Sequence, residues 1–263
     1  MAVSPLAGAY SDTGGAWERG PARVYDRLAA VLIDSSPVPL AGGRVLDVGA
    51  GTGAASRAAV AAGAAQTVAV DAAFGMLAHD ASARPPAVVG DARALPFAPS
   101  AFDATVAAFS LNHLTRPESG LREMARVTRA GGVILAASYA EDDTHTVKDV
   151  VQDALAARGW APEPWYTWIG VSAIPLLATP ERCADAARSA GLDAEVQAVR
   201  VPFPEMDAGD LVAWRLGMAQ HAPFVAGLSP DERDALVGDV LAVLGEAPPR
   251  LVRSVVLLSA VKS

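Results

Sequence analysis

The sequence predicts an α/β protein built on a doubly wound, mostly parallel seven-stranded sheet with helices on both faces. Three observations carry that expectation. Apolar, β-branched runs alternate with helix-like stretches from residue 22 to about 139. A glycine-rich turn, RVLDVGAGTGAAS (44–56), follows the first of these runs. After a change of rhythm near residue 140, two more strand-like runs complete the set, 194–203 and 251–261. Strands that alternate with helices lie parallel and covered on both faces. Right-handed crossovers then wind the sheet twice.

Each element has a local reason. ARVYDRLAAVLI (22–33) places Val24, Leu28, Val31 and Leu32 at helical spacing. RVLDV (44–48) reads as the first strand, and TGAASRAAVAA (52–62) as a short helix ended by Gly63. TVAVD (67–71) is the second strand, PPAVVGD (85–91) contains the third, ATVAAF (104–109) is the fourth and GGVILAAS (131–138) the fifth. Between the last two, RPESGLREMARVTRA reads as a helix stopped by Gly131 and Gly132. THTVKDVVQDALAARGW (144–160) is helical and runs into an aromatic stretch, GWAPEPWYTWIG (159–170). TPERCADAARSAGL (179–192) is a helix with Thr179 as N-cap and Pro180 at its first position. AEVQAVRVPF (194–203) alternates as a strand does. SPDERDALVGDVLAVLG (229–245) opens on a capping box, Ser229 with Glu232, and LVRSVVLLSAV (251–261) is the last strand.

Composition narrows the function. The 263 residues, 52% hydrophobic and 19% charged, fit one globular domain of generous size or one that carries insertions. The net charge of −8, with no cluster of arginine or lysine, argues against nucleic acid as a partner. No apolar run reaches the roughly 18–20 residues of a membrane span, and the start, MAVSPLAGAYSDTGGAWERG, lacks the basic and apolar regions of a secretion signal. The single cysteine, Cys183, reads as a small buried hydrophobe. A cytoplasmic protein with no metal site is expected, and a homodimer is left open.

The glycine turn holds the chemistry. Gly49, Gly51 and Ala54 fit the G-x-G-x-x-G/A fingerprint of dinucleotide sites, with Asp71 about 20 residues on. Two acids point elsewhere. Asp47 lies two residues before the first glycine, where a carboxylate repels a pyrophosphate and suits a cation. Asp91, after the third strand, can accept from an adenine amino group. The implied ligand carries adenosine and a positive charge, without phosphates.

With these residues in hand, the chain resembles the class I S-adenosylmethionine (SAM)-dependent methyltransferases of the small-molecule branch. VLDVGAGTG (45–53) resembles their first motif and VAVDAAFGML (68–77) the second. GDARALPFAPSAFDATVAAFSLNHL (90–114) resembles the third and fourth, and REMARVTRAGGVILAAS (122–138) the fifth. The likeness covers roughly residues 20–140, and the tail fits more loosely. It implies one domain, with an N-terminal cap (1–40), a SAM-binding core (41–139), a lid or acceptor insertion (140–190) and C-terminal strands (191–263) interrupted at 203–250.

The resemblance also implies roles. Asp47 organises the loop near the methionyl ammonium, while Gly49, Ala50 and Gly51 let the backbone approach the ligand. Asp71 takes the ribose hydroxyls. Asp91 and the Ala92 amide meet the adenine, Met76 and Ala72 line its slot, and Phe109 and Ser110 fall beside the sulfonium. The expected activity is in-line transfer of the SAM methyl to a small-molecule acceptor, a natural-product intermediate. Because the sulfonium already leaves readily, alignment is the main task.

His113, after the fourth strand, is the candidate base, and Tyr10 and Tyr25 belong to the cap. Trp165, Tyr166 and Trp168, with Trp214 and His221 further on, are candidates to hold a flat or greasy acceptor; a lid packing on its own helix is the alternative. A strongly anionic acceptor is not favoured, though scattered arginines such as Arg200, Arg215 and Arg253 leave a diphosphate open. Two other activities fit the cofactor turn: a SAM-binding protein that transfers no methyl, such as a cyclase, and an NAD-dependent oxidoreductase.

Overall fold

The computed structural model describes residues 5–80, 82, 84–245 and 248–263, so the first four residues of the expected cap lie outside the described residues. The chain opens with three helices, α1 (Pro5–Ser11), α2 (Gly14–Arg19) and α3 (Pro21–Asp34). An alternating core follows: β1 (Arg44–Val48), α4 (Ala54–Ala61), β2 (Gln66–Asp71), α5 (Phe74–Ala78), β3 (Ala87–Val89), β4 (Phe102–Ala108), α6 (Pro117–Val127) and β5 (Thr128–Tyr139). After β5 come α7 (Thr146–Ala156), α8 (Pro164–Ser172) and α9 (Pro180–Ser189). The chain ends with β6 (Glu195–Phe203), α10 (Ala208–Leu216), α11 (Ala222–Gly227), α12 (Pro230–Leu244) and β7 (Leu251–Val261).

The strands form one seven-stranded sheet in the order β3-β2-β1-β4-β5-β7-β6. The first five are parallel, and β7 runs antiparallel to both its neighbours, β5 and β6. Strand residues alternate between two apolar layers. Val45, Val106, Leu135 and Leu257 face α3, α4, α7 and α12, whereas Leu46, Val70, Ile134 and Leu258 face α6 and α9. Helices therefore cover both faces, and each fully buried aliphatic side chain contributes about 1.5–3 kcal/mol relative to exposure. Among the described residues no helix is long and apolar enough to cross a membrane. Cys183, on α9, packs in the second layer, where burial pushes its thiol up to about 12.

One boundary departs from the sequence expectation. Gly131 and Gly132 do not stop α6, which ends at Val127; they lie inside β5. Thr128 already pairs with Phe102, and its hydroxyl meets Thr105 Oγ1 at 3.0 Å. The register between β4 and β5 shifts beside Ala104, and a Cβ on Gly132 would stand 2.5 Å from the Asp103 carbonyl. These glycines serve strand approach.

The helices ahead of the sheet are pinned to it. A Cβ on Gly75 of α5 would fall 1.5 Å from Ser11 O, so glycine is what lets the end of α1 sit on α5. Thr13 Oγ1, which donates to Tyr10 O at 2.8 Å, touches Met76 Sδ at 3.7 Å nearby. This contact holds α1 and α2 above the carboxyl ends of β1 and β2.

Candidate functional site

Ligands in open α/β sheets bind beyond the carboxyl ends of the strands where the order reverses. Here that point lies between β1 and β4, and the glycine turn occupies it. Gly49 and Gly51 have φ of 71° and 54°, and a Cβ on Gly49 would stand 2.2 Å from Ser110 Cβ. Glycine is thus required by both conformation and space. The Gly49 and Ala50 amides donate to Val70 O at 2.7 and 3.1 Å, which ties the turn to β2.

Two carboxylates shape the turn. Asp47, 1% exposed, accepts from Ser56 N and Ser56 Oγ at 2.8 and 2.7 Å, both on Oδ2. Burial raises it to about 6, against the opposing pull of the Ser56 bonds. Asp71, at the end of β2, accepts from Gly51 N through Oδ2 (2.7 Å) and from Ala73 N through Oδ1 (2.8 Å). Burial raises it too, against those backbone N–H bonds. A third acid, Asp91, is held by Arg93, whose Nε and Nη2 reach its carboxylate at 3.0 and 2.6 Å and lower its pKa.

A cavity of about 240 Å³ opens over this turn. The residues expected to hold a cofactor line it: Asp47, Gly49, Ala50 and Gly51 on the turn, Asp71, Ala72 and Met76 after β2, and Asp91 and Ala92 after β3. Phe109 and His113 line it beyond β4. Phe109 takes φ of 61°, a left-handed conformation that costs a non-glycine residue roughly 1–2 kcal/mol. Such strain collects at functional sites. His113 Nε2 lies 3.5 Å from the Tyr10 hydroxyl, and burial lowers the imidazole to about 4, so it is neutral at physiological pH.

The aromatic candidates divide. Trp168 lines the cavity mouth, and Trp165 lies 5.9 Å from the Tyr10 ring. Tyr166, on the same helix, faces Arg215. Trp214 and His221 do not line the cavity. The face of α10 that carries Trp214 is turned into the core, where the indole is 1% exposed. His221 Nδ1 donates to Arg215 O at 2.8 Å and the ring edges onto Trp160 at 4.9 Å, so it ties α10 to α11 instead of meeting a guest. Leu6, Ala7 and Trp17 roof the cavity and went unread in the sequence, because α1 and α2 are too short to impose a periodicity.

The electrostatics favour a cation. Three carboxylates line the cavity against one arginine, Arg93, which Asp91 already neutralises. Among the described residues no lining basic group stands free to meet a pyrophosphate. The antiparallel β7 also departs from the dinucleotide fold, whose six strands run in the order 3-2-1-4-5-6. An NAD-dependent oxidoreductase is disfavoured on both counts.

Residues 46–136 match a protein family described as a methyltransferase domain. Over that stretch, from β1 into β5, the chain is similar to a methyltransferase domain. Over 150 residues it is 39% identical to a demethylmenaquinone methyltransferase of Mycolicibacterium gilvum, a match that covers 57% of this chain and 64% of the relative, just under two-thirds of its length. Among solved structures it is similar to a putative methyltransferase from an antibiotic biosynthesis pathway of Anabaena variabilis, with a TM-score of 0.60 and 17% identity over 89% of this chain and 96% of that one. It is also similar to the [4+2]-cyclase SpnF, with a TM-score of 0.55 and 22% identity over 90% of this chain and 81% of the other. At these identities the structural likeness speaks to the fold alone. The matched stretch contains the glycine turn and the acids that end β2 and follow β3.

Proposed function

We propose that the protein transfers the methyl group of SAM to a small-molecule acceptor, a natural-product intermediate. The observation that carries this reading is the charge of the cavity: Asp47 and Asp71 stand over a glycine turn with no free basic group beside them. A cationic nucleoside fits such a site and a pyrophosphate does not.

When bound, SAM supplies a methyl on a sulfonium that leaves without further activation. Asp71, fixed by two backbone amides, presents its remaining lone pairs to the ribose hydroxyls. Asp91 and the Ala92 amide would meet the adenine edge, with Met76 and Ala72 against its faces. Asp47 would lie on the ammonium side. Phe109, held in its strained conformation, forms part of the cavity wall. The protein's work is then alignment and exclusion of water, and alignment can supply on the order of 7–11 kcal/mol.

His113 keeps its lone pair at neutral pH, and it accepts the hydrogen of an acceptor hydroxyl or amine placed beneath Trp165 and Tyr10. Release of S-adenosylhomocysteine, followed with a panel of phenols, amines and enolic acids, tests the reading. Release that depends on one acceptor class supports it. Tight SAM binding with no release from any acceptor would move the protein to the non-methylating, cyclase-like alternative.

A further inference from the structure

Behind the wall formed by Phe109 and Tyr25 lies a buried set of cations that the site above does not use. Arg253 and Lys148 share one carboxylate, Asp143, at 2.7 Å each, and Ser254 N takes its other oxygen at 2.9 Å. That carboxylate is fully engaged. Arg215, only 6% exposed, makes no ion pair among the described residues, although Tyr166 faces it. Both guanidiniums rest against one indole: Arg253 Cζ lies 4.7 Å and Arg215 Cζ 5.3 Å from the Trp214 ring centroid. Arg253 Cζ also lies 4.2 Å over Tyr139.

Four atoms of this cluster that can donate are buried without a hydrogen-bond partner: Arg215 Nε, Arg253 Nη1, Trp214 Nε1 and Tyr139 Oη. A buried guanidinium without a counter-charge is costly, and two beside each other repel. Surplus positive charge and idle donors in one place have a common solution, which is an anionic oxygen group. The cluster touches the cavity wall directly, since Tyr139 lies 4.6 Å from Phe109, and Tyr25 lies 5.6 Å from Phe109 and 6.3 Å from Tyr139.

We propose that the acceptor is an anion whose carboxylate or phosphate binds between Arg215 and Arg253, past Phe109 and Tyr139. That the guest is the acceptor rests on the methyl-transfer reading; the anion site itself does not. The sequence disfavoured a strongly anionic acceptor because few basic residues flank the aromatic stretch, while leaving open a diphosphate on scattered arginines that include Arg215 and Arg253. The fold brings two in from α10 and β7 instead.

Thermal melting tests the site without knowledge of the acceptor. Wild type, Arg215→Met and Arg200→Met are melted at constant ionic strength, alone and with inorganic phosphate, 4-hydroxybenzoate or the neutral 4-hydroxybenzamide. Arg200, exposed on β6, controls for loss of a charge. Without ligand, Arg215→Met melts about 2–4 °C above wild type, because an uncompensated charge has gone. Phosphate or 4-hydroxybenzoate raises the wild-type and Arg200→Met melting temperatures and leaves Arg215→Met unmoved, while the amide moves none of them. The site is overturned if Arg215→Met melts at or below wild type, or if the anions move wild type and Arg215→Met alike or move neither. S-Adenosylhomocysteine is titrated alongside. Wild type that fails to bind it sinks the methyl-transfer reading alone, whereas binding with no anion response sinks the anion site alone.

Discussion

Acidification should weaken SAM binding at Asp47. Burial raises its carboxyl to about 6 in the free protein, and a bound cation favours the ionised form. A group of that pKa is roughly 90% ionised at pH 7 and roughly 10% at pH 5. Affinity therefore falls ~10-fold between those pH values, equivalent to ~1.4 kcal/mol. Asp47→Asn isolates the effect, because both Ser56 bonds end on one oxygen, Oδ2, which the amide oxygen replaces. The variant keeps the turn anchored and holds one weak affinity from pH 5 to pH 7. Calorimetry in two buffers of different ionisation enthalpy reads the affinity and also the proton released on binding near pH 6. Flat wild-type affinity over this range, or an equal slope in Asp47→Asn, would refute the placement of a cation beside this carboxylate.

Other outcomes follow from the same geometry. Gly49→Ala forces a side chain into a left-handed conformation with its Cβ 2.2 Å from Ser110 Cβ, so chemical denaturation should show a loss of roughly 2–4 kcal/mol; unchanged stability would mean the turn is built differently. His221 titrates near 4 in the folded chain against about 6.5 unfolded, so the unfolded state binds its proton first as pH falls. Stability is then lost between pH 6.5 and 4, by about 3 kcal/mol for this residue, while Asp47, raised by burial, gains over 3.8 to 6. His221→Asn, melted across that range, should flatten the acid limb, and an unaltered limb would contradict the burial argument. His113→Ala should lower turnover by ~10²–10⁴ and leave SAM affinity nearly intact; equal loss of both would make His113 a structural residue.

Much of this fold was legible because its signals are local. The strands RVLDV and LVRSVVLLSAV declare themselves by composition, and Ser229 with Glu232 forms both bonds of the capping box that the spacing implies. Glycines were less legible, since the same residue stops a helix or admits a neighbouring backbone. Gly131 and Gly132 read as the former and serve the latter. α5 is five residues long and gives no periodicity, yet Gly75 is where α1 docks.

The candidate site divides the same way. The carboxylates that line the cavity sit at strand ends, whose positions the alternation already fixes. The side chains that decide the acceptor depend on which face of α8 or α10 turns inward. Trp214 and His221, candidates by proximity in the chain, are buried and turned away from the cavity over the glycine turn. Arg215 adjoins Trp214 in sequence, but Arg253 is far from both, and only the fold sets the two guanidiniums on one indole.

On this reading a turn flanked by two carboxylates holds a cationic nucleoside and excludes a pyrophosphate. Parallel calorimetric titrations with SAM and with NAD at pH 7 test it most directly. Stoichiometric SAM binding that Asp71→Ala weakens by ~3 kcal/mol or more, with no heat from NAD, is the predicted result. NAD binding more tightly than SAM, or SAM affinity indifferent to Asp71, would contradict it.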